Sequence, residues 1–95
     1  MDNLDIDWDE IFIERLKKDT YKNLENILDK TIVNIEQNKR MLLREYRSYV
    51  EILENNQLDK KAQKKEIIEE YEQQLIFLLD RESKLEDELH RRRNS

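Results

Sequence analysis

Glycine, proline and cysteine are all missing from this 95-residue chain, and histidine occurs once. Hairpin turns, phosphate-cradling loops and left-handed helix caps ordinarily draw on glycine, while proline punctuates non-helical chain. An architecture that does without both is nearly all helix. The lack of cysteine excludes a disulfide framework and any thiolate metal site, a usage that fits an intracellular protein of the cytoplasm or nucleus. No apolar stretch approaches the roughly 18 residues of a membrane span. The opening residues are acidic, with no basic lead followed by an apolar run, so neither a secretory signal nor a membrane partner is expected.

Charge is what the chain has in quantity: 43% of its residues are charged, against 37% hydrophobic. That balance also describes disordered chains. Here, however, the apolar residues fall on seams in two separate segments, which favours long helices. A chain this polar has too little apolar surface for a compact monomer, so its helices are expected to pack in a hairpin, a dimer or against another protein. The net charge of −5 is concentrated in the head, where Asp2, Asp5, Asp7, Asp9, Glu10 and Glu14 precede the first base, Arg15. Arg91, Arg92 and Arg93 close the chain, so acid opens and base closes it, in the sense the helix macrodipole favours.

The organising stretch is Leu28, Ile32, Ile35, Lys39, Leu42, Tyr46, Tyr49 and Leu53, at alternating spacings of four and three. An average near 3.5 residues keeps one stripe of a helix facing a partner helix along its whole length. Lys39 inside the seam reads as a side chain whose stem packs while its ammonium reaches the edge. A second seam comes at Ile68, Tyr71, Leu75, Leu78, Glu82, Leu85 and Leu89, broadened by Ile67, Ile76, Phe77 and Leu79. Between the seams, Asn55 and Asn56 are the residues here that best tolerate turn and left-handed conformations, and Asp59 is a fair N-cap for the second helix. The expected fold is therefore all-α: a long-helix coiled coil, arranged as an antiparallel helical hairpin that dimerises or joins a helical bundle. Its parts are an acidic aromatic head over residues 1–20, helical from about residue 7, a first long helix over 21–54, a connection at 55–58, a second long helix over 59–93, and a tail at 94–95. Asp7, with Glu10 three residues on, makes an acidic version of a capping box at the start of the head helix.

No catalytic constellation accompanies these seams. Carboxylate pairs such as Glu66 with Glu70, or Glu82 with Glu86, are inevitable at helical spacing, but acid–base work needs a dry, concave site that drives their pKa values apart. Glu86 with His90 is a single carboxylate–histidine match with no counterpart on a second helix, too little for a metal site. No catalytic residue, cofactor or metal is expected, and the chain does not read as an enzyme. Lys60, Lys61, Lys64 and Lys65 could touch phosphate, yet no aromatic residue interleaves with them and the chain is acidic overall, which disfavours nucleic acid as a partner.

The expected partner is protein. Leu28, Ile32, Ile35, Leu42, Tyr46, Tyr49 and Leu53 of the first helix, with Ile68, Tyr71, Leu75, Leu78, Leu85 and Leu89 of the second, would bind helices in a homodimer or a hetero-oligomeric complex, as a small scaffold or assembly subunit. An alternative rests on the head, where Trp8, Ile11 and Phe12 stand among acids in a combination suited to docking on a basic surface with an apolar pocket. In composition that segment is similar to the acidic-aromatic segments of some histone-binding proteins, and the resemblance implies a docking module or inhibitor for a basic, histone-like partner.

Overall fold

The computed structural model describes residues 7–94, so the part of the head before Asp7, with Asp2 and Asp5, lies outside the described residues. Three helices succeed one another within this span: α1 (Trp8–Lys18), α2 (Tyr21–Glu54) and α3 (Lys61–Arg93), the last preceded by a single 3-10 turn at Leu58–Lys60. The two long helices form an antiparallel hairpin, and no strand occurs among the described residues. The radius of gyration, 18.2 Å, exceeds the ~12 Å of a compact chain of this length. The molecule is a flat bracket of 58 × 37 × 16 Å.

Local chemistry sets each boundary. Asp7 caps α1 by accepting from the backbone N–H groups of Asp9 and Glu10, both at 3.1 Å, satisfying donors that a helix start leaves open. The chain turns sharply after Lys18, where Asp19 and Thr20 are extended. Thr20 then caps α2 by accepting from the backbone N–H of Asn23 at 3.2 Å, and Asp19 accepts from the Asn23 side chain at 2.6 Å. Residues 19 and 20 thus separate the head as a helix of its own. At the elbow Asn56 is left-handed, with φ of 53°, a conformation asparagine tolerates better than most residues. The N–H of Gln57 donates back to the carbonyl of Ile52 at 3.0 Å, closing the end of α2. Asp59 does not cap α3. It lies within the 3-10 turn, and Lys60 precedes α3 without any side-chain cap.

The densest packing is at the open end, away from the elbow. Leu16 of α1, Leu24 of α2, and Leu85 and Leu89 of α3 form one buried cluster, with Phe12, Tyr21, Ile27 and Leu28 against it. Leu24 and Leu85 are entirely covered. Three helices meet there, which is why Leu24 and Leu85 are completely covered, while the two-helix stretch buries a single edge of each helix.

Arg92 fastens α1 to this end. Its guanidinium donates to the carbonyls of Asp19 (2.7 Å), Leu16 (2.6 Å) and Lys17 (3.2 Å), the acceptors that the last turn of α1 leaves without intrahelical partners. Glu88, itself buried, orients Arg92 by accepting from its Nε at 2.8 Å and also binds Arg91. The hydrogen bonds from Arg91, then those from Arg92, hold the Glu88 carboxyl below its ordinary range, outweighing the opposing effect of burial. A group with a depressed folded-state pKa contributes stability that is complete above its unfolded value, near 4.3, and is lost as pH falls through the folded value. In acid titrations of stability followed by circular dichroism, Glu88→Gln is expected to vary less with pH below about 4 than the wild type does. Superimposable acid limbs would exclude Glu88 as the group responsible.

Candidate interaction surface

Interhelical packing in the hairpin selects one edge of α2. The residues turned toward α3 run Leu24, Leu28, Thr31, Ile35, Asn38, Leu42, Glu45, Tyr49 and Ile52, again alternating four and three. Thr31, Ile35, Asn38, Leu42 and Ile52 are buried, and the Glu45 side chain is only 15% exposed. On α3 the seam falls where the pattern predicts it, with Ile68, Leu85 and Leu89 buried and Tyr71, Leu75 and Leu78 half-buried.

On α2 the structure divides the predicted stripe. Leu28, Ile35, Leu42 and Tyr49 take part in the hairpin. Ile32, Lys39, Tyr46 and Leu53 lie outside its packed edge and each is exposed; of these, among the described residues, the Tyr46 hydroxyl alone bonds to α3. Lys39 therefore does not pack within the hairpin; its ammonium lies 3.6 Å from Glu36 at the surface. In place of these four, the hairpin buries their predecessors Thr31, Asn38, Glu45 and Ile52. One step along a helix is about 100° of rotation. The apolar arc of α2 is wider than a single helix can cover, the predicted stripe runs down its middle, and α3 lies against the more polar edge.

Specific partners make that edge acceptable. Thr31 donates to the Ile27 carbonyl at 2.8 Å. Asn38 donates to the Gln74 side chain at 3.3 Å, although its own Oδ1 is buried without a partner. Glu45 meets Lys64 at 2.7 Å, with both side chains largely covered. Polar residues in a coiled-coil seam cost stability and fix register; Thr31 is satisfied within α2, and Asn38 and Glu45, paired across the hairpin, set how α2 and α3 align.

The result is a second, unused seam. Moving the hairpin contacts from Thr31 to Ile52 forward by one residue gives Ile32, Glu36, Lys39, Leu43, Tyr46, Val50 and Leu53, with the same alternation. Leu43 is 52% exposed, Val50 49%, Tyr46 41% and Leu53 40%. The Tyr46 hydroxyl donates to Glu72 at 2.8 Å, which raises its pKa because ionisation would forfeit that bond. This bond also shows which flank of α3 borders the seam, the one carrying Lys65, Glu69, Glu72, Ile76 and Leu79 by helical position. Ile76 and Leu79 are exposed too.

The opposite flank of α3 receives the head. Arg81 stacks over the Phe12 ring at 3.7 Å and over Phe77 at 4.6 Å, and Lys84 bridges Asp80 (2.7 Å) and Asp9 (3.0 Å). Of the three head residues singled out for docking, Ile11 and Phe12 are half-buried, while Trp8 is 67% exposed. Beyond the head the same flank is a shallow groove of about 560 Å³ between Asn34, Asn38 and Met41 of α2 and Tyr71, Gln74 and Phe77 of α3. His90 is exposed, with Nε2 2.9 Å from the Asn94 side-chain nitrogen. No group of three metal-binding side chains occurs among the described residues, and none of their helices is long and apolar enough to cross a membrane.

Fold and surface together define an all-α helical hairpin with a short third helix clasped to its open end. Comparison of the chain with protein-family models, with curated proteins and with solved structures gives no match, which leaves the surface as the guide to function.

Proposed function

We propose that the chain is a structural interaction protein, a small coiled-coil scaffold or assembly subunit that offers the second seam of α2 to a partner helix. One observation carries this reading. The hairpin turns its polar edge (Thr31, Asn38, Glu45) inward and leaves Leu43, Tyr46, Val50 and Leu53 outside, the opposite of what self-contained packing favours. Heptad spacing of the exposed set suits a helix better than a flat or membrane surface. The contact surface is thereby shifted from the one expected from sequence: Ile32, Tyr46 and Leu53 remain available to a partner, while Leu28, Ile35, Leu42, Tyr49 and the α3 seam are occupied by the hairpin.

A photo-crosslinking residue placed at Leu43 or Val50 in the native cell tests it. A protein adduct is expected at both positions, and none at Lys30 or Glu86. Equal background at all four positions would sink the proposal. The docking alternative is favoured by the exposure of Trp8 beside Asp9 and Glu10, and the same crosslinker at Trp8 separates it: an adduct there, with none at Leu43 or Val50, would replace the seam with the head.

A further inference from the structure

Resting on that reading of the α2 seam, we infer that its occupant is a second copy of this chain, packed antiparallel across a two-fold axis near Ser48 to give a four-helix bundle joined at the elbow ends.

From Leu43 to Leu53 the apolar seam is self-complementary in that direction; parallel pairing in register would cover the same residues, and charge decides between the two. Antiparallel coiled coils set the first position of the repeat in one helix against the fourth position of its partner. Centred on Ser48, Leu43 meets Leu53 of the second copy and Tyr46 meets its Val50, and the axis repeats both layers. These four residues are then covered, while Ile32 lies beyond the paired stretch of α2.

Charge makes the choice. Around the seam, α2 is basic in its first half, with Arg40, Arg44 and Arg47, and acidic in its second, with Glu51 and Glu54; all five are exposed. Antiparallel pairing brings Arg40 of each copy to Glu54 of the other and Arg44 to Glu51. Arg47 meets its own counterpart near the axis, with Glu51 one turn along to offset it. Parallel pairing would set every base on a base and every acid on an acid.

An independent feature of α3 agrees. Its sequence switches from Lys61 and Lys65 to Glu66, Glu69 and Glu72. The contacts Glu45–Lys64 and Tyr46–Glu72 bracket the height of that switch and put it beside Ser48. One two-fold therefore inverts both charge patterns, facing the lysines of each α3 toward the glutamates of the other. Self-association of this kind uses an isologous patch, as closed dimers require.

Sedimentation velocity on the full chain and on two charge reversals tests the arrangement. The wild type is expected to be a dimer. Arg40→Glu and Glu54→Arg, each folded by circular dichroism, are expected to dimerise about tenfold more weakly at low salt, since each inverts two pairs. An equimolar mixture of the two variants restores both attractions and is expected to recover the dimer. A monomeric wild type would overturn the inference, and the seam reading would survive it only if the crosslinked partner at Leu43 were a different protein. A dimer strengthened or unchanged by Arg40→Glu would overturn it as well, because the paired helices would then be parallel or elsewhere.

Discussion

Leu85→Asp unfolds the chain, whereas Leu79→Asp, less than two turns away on the same helix, leaves it folded. Leu85 is completely covered, in a cluster with Leu16, Leu24 and Leu89 that draws on all three helices. Truncating such a leucine to alanine costs about 2–5 kcal/mol, and aspartate adds the penalty of a carboxylate with no partner in an apolar site. A domain of this size has only about 5–10 kcal/mol in all. Leu79 is 41% exposed and lies outside both the cluster and the antiparallel contact, so its replacement is expected to cost about 0.5 kcal/mol or less. Far-ultraviolet circular dichroism with a thermal melt decides the matter: lost helicity for the first variant and a near-native midpoint for the second. Equal losses would mean that the core is distributed along the hairpin and not held at its open end.

Arg92→Ala releases α1 without unfolding the hairpin. The guanidinium satisfies three carbonyls at the end of α1 and, with Arg91, neutralises the buried Glu88. Charge-assisted hydrogen bonds contribute about 1.5–3 kcal/mol apiece when a partner is removed and the rest stays buried, and the helix end adds a favourable dipole contribution. The expected loss is about 3 kcal/mol, confined to residues 8–18. Amide hydrogen exchange should show those residues losing protection while the middle of α2 and α3 keeps it. Arg92→Lys is expected to recover part of the effect, because one ammonium cannot reach all three acceptors in the planar fork that arginine provides. Uniform loss of protection along α2 and α3 would show that α1 and the hairpin unfold as one unit.

The helical hairpin is legible in the sequence because its signals are local. Missing glycine and proline remove the usual tight-turn residues that many-stranded folds need, paired asparagines mark the elbow, and an unbroken three–four alternation locates the α3 seam. The α2 seam is legible only as an arc. Ile32, Tyr46 and Leu53 are more apolar than Thr31, Asn38 and Glu45, so a hydrophobic pattern centres on the first set. What decides the rotation of α2 is polar pairing with residues far along the chain, Asn38 with Gln74 and Glu45 with Lys64, and such pairing has no period. The displacement by one residue between the predicted stripe and the buried one is also what hides the exposed seam. Arg92 gives no signal for a related reason: a basic tail suits the dipole of its own helix, and nothing in its spacing says that one guanidinium reaches across to the end of another.

The uncapped beginning of α3 gives the bracket an unusual mechanical character. Lysines crowd a helix N-terminus, where positive charge is unfavourable, and no side chain closes its first turn. The first turn of α3 therefore adds little to the grip between the two arms. In most helical hairpins the loop keeps the two arms together and the tips splay. Here the tips are clasped as well, by the leucine cluster and Arg92. Severing the chain between Asn55 and Lys61 would leave two long helices still gripping each other at their far ends.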